Sequence, residues 1–139
     1  LRNGDEEVAE MREAYNQRRR YLLKRFEEMG MPCFEPHGAF YCFPNIQRFG
    51  MSSDEFATRL LKEEKVAVVP GTAFGDCGEG FLRISYAYSL DSLKEALNRM
   101  ERFVKRLDEA KNASAGAVDV EISGKEMDAG KADAGKAEA

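Results

Sequence analysis

Arg83 has the clearest chemical potential in this sequence, through the run it sits in, FLRISYA at 81–87. A strand here alternates its side chains: Leu82, Ile84 and Tyr86 share one face, while Phe81, Arg83 and Ser85 share the other. The arginine therefore points away from the apolar, helix-covered side. A planar guanidinium presents paired N–H donors that match a carboxylate at two points, which a lysine does not reproduce. Alternation alone favours the plainer role, a surface ion pair.

A second candidate is the loop Pro70–Gly80, with glycines at 71, 75, 78 and 80. It suggests a phosphate cradle, but no lysine follows and the loop leads into a strand, so the helix N-terminus that favours phosphate is missing. Backbone freedom for an irregular hairpin explains the glycines more simply. Cys33, His37, Cys42 and Cys77 contain no CxxC pair and have irregular spacing, which argues against zinc. Three cysteines leave one unmatched, which suits a reducing compartment better than a disulfide framework. A single histidine limits acid–base schemes. The pairs Glu6–Glu7, Glu27–Glu28 and Glu63–Glu64 lie on helical segments with charged neighbours, as solvated faces do. Arg18, Arg19 and Arg20 are consecutive, so on a helix they point in different directions and form no phosphate site.

These residues must be positioned by three helices and about four strands. Val8, Met11, Tyr15, Leu22, Phe26 and Met29 recur at helical steps, acids at Asp5, Glu6 and Glu7 favour the start, and Gly30 and Pro32 stop the helix. That gives about 25 residues, or roughly 37 Å, long enough for the first half to reach beyond the domain's own core. Extended runs follow at Cys33–Glu35 and Ala39–Pro44, with the turn PHG between them. Ser52 and Glu55 form a capping box for a helix reaching about Glu64, with Phe56, Ala57, Leu60 and Leu61 as its stripe. Strands at Val66–Val69 and Phe81–Ala87 flank the glycine-rich loop. A last helix starts at Ser89 and carries Leu93, Leu97, Met100, Val104 and Leu107. The order predicts an α+β fold: a mostly antiparallel sheet covered by helices and preceded by a long N-terminal helix.

The aromatic residues end at Phe103, so residues 1–107 are expected to form one domain and 108–139 a low-complexity, disordered tail. The tail repeats DAGKA from Asp128 to Ala137 and, with eight acids and four lysines, carries the whole net charge of −4. The neutral body gives no electrostatic footprint for nucleic acid. No run approaches the roughly 20 apolar residues of a membrane span, and LRNGDEEVAE lacks a signal peptide's apolar segment, so the expected location is the cytoplasm. The chain opens with Leu1 rather than Met, which leaves room for a preceding segment.

PHGAFYCFP at Pro36–Pro44 and VAVVPGTAFGDCGEGFLRISYAYS at Val66–Ser89, in that order around a capped helix, closely resemble the C-terminal part of class I pyridoxal-phosphate-dependent aminotransferases of the aspartate aminotransferase type. The likeness covers about 100 residues. It implies the small domain that closes over a larger, cofactor-binding domain. Arg83 then corresponds to the residue that binds the substrate α-carboxylate. Gly38 and Phe40 correspond to the turn and strand lining the substrate entrance, and the loop around Phe74 to a segment near it. The resemblance further implies amino-acid and 2-oxo-acid substrates, pyridoxal 5′-phosphate in the intact enzyme, and a homodimer. The Schiff-base lysine and phosphate-binding residues are expected on the absent large domain, so no residue here is expected to be catalytic and the chain alone should be inactive. Two readings compete: the small domain of a related lyase or decarboxylase, and an independent ligand-binding or regulatory module.

Overall fold

The computed structural model describes residues 4–129, with side chains described through residue 115. Helix α1 spans Asp5–Glu28. It ends as Gly30 predicts: Gly30 has φ +67°, its N–H donates to Glu27 O (2.9 Å), and Met31 N–H donates to Phe26 O (2.8 Å). This αL closure satisfies carbonyls of the last turn. Only the second half of α1 is anchored, through Leu22 and Phe26, while Val8 and Met11 stay more than half exposed.

Helix α2 (Ser53–Glu64) begins at the expected cap, where Ser52 Oγ accepts from Glu55 N–H at 3.1 Å. Its stripe buries Phe56, Ala57 and Leu60. Phe56 meets Phe103 of helix α3 (Leu90–Ala129) edge to face, with centroids 5.1 Å apart. Leu93, Leu97, Met100 and Val104 complete that side of the core, so α2 and α3 pack through most of the residues their periodicity marks, while Leu61 of the α2 stripe is 49% exposed.

Three strands make the sheet: β1 (Tyr41–Cys42), β2 (Val69–Pro70) and β3 (Leu82–Ser85), in the order β1-β3-β2 with both pairs antiparallel. Of the four expected strands, the first is reduced to one bridge between Cys33 and Pro44. Pro36 and Pro44 have no N–H to donate, so a ladder cannot extend between those runs. The run at Val66–Val69 pairs only from Val69 onward.

The chain divides into two units, Leu1–Val104 and Lys105–Ala139. Where composition predicts that order stops near Leu107, the backbone instead remains helical through Ala129. The disorder expected from residue 108 therefore meets helix as far as Ala129, and residues 130–139, with most of the DAGKA repeat, lie outside the described residues.

Candidate carboxylate-binding site

Arg83 lies on β3, the central strand, directly opposite Val69 of β2. The β1 register pairs Tyr41 with Ser85 and Cys42 with Ile84, which by continuation brings Phe43 opposite Arg83. As alternation predicts, Leu82 and Tyr86 are buried on the core face, while Arg83 is half-buried on the other. Its guanidinium carbon stands 4.5 Å from the Tyr41 ring centroid and 4.3 Å from that of Phe74. Among the described residues no carboxylate pairs with it. The plainer expectation, a surface ion pair, is therefore not how this arginine is arranged. Its guanidinium carbon lies over two aromatic rings, and its N–H donors meet no acid among the described residues.

The structure brings Phe40 close to this group. Its ring lies 4.6 Å from Tyr41 and 6.4 Å from Tyr15, and it is 40% exposed. Gly38 is not brought in: it is exposed, and a Cβ built there meets nothing within 4 Å. The left-handed residue of the PHG turn is Ala39, at φ +59°, rather than the glycine. Tyr86 holds that conformation from the core, its N–H donating to Phe40 O and its hydroxyl to Ala39 O, each at 2.9 Å. Burial raises the Tyr86 pKa above the usual phenol value, which keeps the donating proton in place.

The glycine-rich loop is built differently. Gly71 and Gly78 cross so closely that a Cβ on either would stand 2.0 Å from the other's carbonyl oxygen. The loop is also tied to the first turn of α2: Thr72 Oγ1 donates to Asp54 (2.9 Å), Gly80 N–H to Ser53 Oγ (2.9 Å), and Ser53 N–H to Glu79 Oε1 (2.8 Å). The loop thus presents Phe74, 49% exposed, against Arg83 on one side and edge-on to Phe43 at 6.2 Å. Reading the sequence alone missed Tyr41 and Phe43. The available signal was their shared strand face, opposite the buried Cys42 and Pro44.

Cys33 and Cys42 also meet. A hydrogen bond from the Cys42 thiol lowers the Cys33 pKa, and the same bond, with burial, raises that of Cys42. Among the described residues no cluster of His, Cys, Asp or Glu is arranged to hold a metal, and no helix is long and apolar enough to cross a membrane.

The fold is an α+β domain whose small, helix-covered antiparallel sheet carries, on its central strand, an arginine set between two aromatic rings. Residues 1–100 match the family described as Aminotransferase class I and II. The chain is 53% identical to the aromatic-amino-acid aminotransferase 2 of Thermococcus litoralis over 98 residues, covering 70% of this chain and 25% of that protein. It is 52% identical to the aspartate aminotransferase of Pyrococcus abyssi, with the same coverage. The solved structure of the aromatic aminotransferase from Pyrococcus horikoshii OT3 superposes with a TM-score of 0.71 at 51% identity, over 73% of this chain and 27% of that one. This chain belongs to the class I and II aminotransferases and spans about a quarter of the length of those relatives.

That family implies pyridoxal 5′-phosphate, and the described residues do not fit it. Every lysine among them is exposed, whereas an imine-forming lysine must be desolvated or otherwise activated. The amides of the glycine-rich loop are engaged within the fold rather than left for a phosphate: Gly71 N–H with Phe81 O, Gly75 N–H with Thr72 O, Gly78 N–H with Gly75 O and Gly80 N–H with Ser53 Oγ.

Proposed function

We propose that this chain is the substrate-closing C-terminal domain of a pyridoxal-phosphate-dependent aminotransferase that moves an amino group from an amino acid to a 2-oxo acid, with Arg83 binding the substrate α-carboxylate. The observation that carries this reading is the half-buried guanidinium of Arg83, stacked on two rings and paired with no acid among the described residues. A carboxylate docked on that fork at two points fixes the direction of the substrate's Cα bonds, an orienting contribution rather than a bond-making one. Arg83, Tyr41 and Ser85 border an open groove of about 670 Å³. An open groove leaves water at the substrate, so closure against the remaining part of the enzyme supplies the exclusion that chemistry requires. The cofactor, the Schiff-base lysine and a homodimer interface belong, in this reading, to the complete enzyme in the cytoplasm.

The test compares this chain with the complete gene product after adding pyridoxal phosphate and then a panel of amino acids. The expected result is a cofactor absorbance band in the complete protein only, shifting with substrate, and a product 2-oxo acid. Elimination or decarboxylation products would instead indicate a related lyase or decarboxylase. Arg83→Lys keeps the charge but loses the planar fork; it is expected to lower kcat/KM at least a hundredfold, about 3 kcal/mol, while leaving the band unchanged. Unaltered turnover would remove Arg83 from the site.

A further inference from the structure

We infer that Tyr41 and Phe74 are positioning residues that brace the Arg83 guanidinium from the two sides of β3, so that its N–H edge stays aligned for the incoming carboxylate. This rests on the reading of Arg83 given above and assigns to two further side chains the job of making its grip directional.

An arginine side chain is among the most conformationally free. Its long side chain has many rotamers, and a half-exposed guanidinium with no acid to pair with has nothing polar to select one. Two rings supply the selection here. Tyr41 comes from β1 and Phe74 from the loop that follows β2, the strands on either side of β3. Both centroids lie within 4.5 Å of the same guanidinium carbon, well inside the range of cation–π attraction. Both contacts set the guanidinium carbon over a ring. The in-plane N–H donors cannot be used by a ring beneath the plane, so they stay available to a carboxylate that approaches edge-on.

Each brace is itself held. Phe43 contacts Phe74 edge to face, and the Gly71–Gly78 crossing fixes the loop that carries it. Phe40 packs on Tyr41, so Phe40, expected from the sequence to line the entrance, acts here through Tyr41. The exposure of Phe74 makes core packing a poor explanation for its placement.

The experiment uses the complete enzyme and compares Tyr41→Leu and Phe74→Leu with the ring-preserving Tyr41→Phe and Phe74→Tyr. Each is assayed with an amino acid and with the matching amine that lacks the carboxylate. Each leucine variant is expected to raise the KM for the amino acid about tenfold, the effect of losing a partly desolvated cation–π contact, with a smaller change in kcat. The amine reaction should stay within about twofold and so controls for folding and cofactor binding. The ring-preserving variants should behave as the unaltered protein. If Arg83→Lys abolishes discrimination between acid and amine but the leucine variants do not weaken it, the brace is refuted and the grip stands. Leucine variants that slow amine and amino acid equally also refute it, because their effect would then be structural. If Arg83→Lys itself leaves discrimination intact, the grip fails and the brace fails with it.

Discussion

Two segments flank Arg83 and were expected alike to border the substrate entrance, yet they are built on opposite principles. The loop at Pro70–Gly80 is locked from within: two glycines touch backbone to backbone, and three hydrogen bonds fasten the loop to the start of α2. The turn at Pro36–Phe40 has no such internal lock. Its glycine faces open space, its left-handed residue is an alanine, and it is held by two hydrogen bonds from one buried tyrosine. The first design fixes a side chain, Phe74, against Arg83. The second leaves a short exposed segment free to adapt to whatever meets it. A rigid reference on one side and a less constrained edge on the other suit the closing role proposed above.

The largest expected effect attacks the locked segment. In Gly71→Ala the new Cβ stands 2.0 Å from Gly78 O, a backbone atom with no flexible side chain to yield. A cost of about 3 kcal/mol or more is expected, at the upper end for overpacking, read as a lowered midpoint in urea unfolding of this chain. A cost below about 1 kcal/mol would show that the loop opens readily and that the contrast between the segments is false.

Next comes Tyr86→Phe, which removes one of the two ties on the compliant turn. Ala39 is exposed, so its carbonyl can turn to water, and the loss should be about 1 kcal/mol. Amide hydrogen exchange should quicken around residues 38–41 and stay unchanged at 71–80. Equal quickening in both segments would mean that they are coupled rather than distinct.

Much of this architecture was legible in the sequence because local rules govern it. The Ser52 cap, the Gly30 stop and the stripes of α2 and α3 depend on neighbours within a turn or two, and Leu82 and Tyr86 followed from alternation along one strand. The contacts that define the site are of another kind. Tyr41 and Phe74 lie 33 residues apart in the numbering, and nothing in the residues between them shows that both rings reach one guanidinium. The Gly71–Gly78 crossing resembles any glycine-rich loop until the backbone is traced. Val8 and Met11 show the converse limit, since periodicity marks an apolar face without saying what covers it. The left-handed Ala39 had no signal in the sequence, because the hydrogen bonds that hold it come from Tyr86, 47 positions away.

A smaller effect concerns the thiols at the foot of the turn. The neighbouring Cys42 thiol holds the Cys33 pKa below that of an ordinary cysteine, while that same neighbour and burial raise the pKa of Cys42. Alkylation followed by mass spectrometry should therefore find Cys33 reacting at a lower pH than a free thiol and the buried Cys42 remaining unmodified. In Cys42→Ala that thiol is gone, and the pH of half-reaction at Cys33 should rise. A fall, or no change, would show that the two feet of the turn are not coupled in this way.

The smallest expected effect is the sharpest test of compliance. Gly38 has an unobstructed Cβ direction and no left-handed φ, so nothing among the described residues requires a glycine there. Gly38→Ala should leave stability unchanged or raise it by up to about 0.5 kcal/mol, since alanine restricts the unfolded chain more than glycine does. If unfolding of the isolated chain follows that expectation while turnover of the complete enzyme drops, the missing methyl is needed by something that approaches the turn from outside, either substrate or the rest of the enzyme. If both measurements are unaffected, Gly38 only shapes the turn, and of the two entrance residues expected from the sequence, Phe40 alone remains, acting through Tyr41.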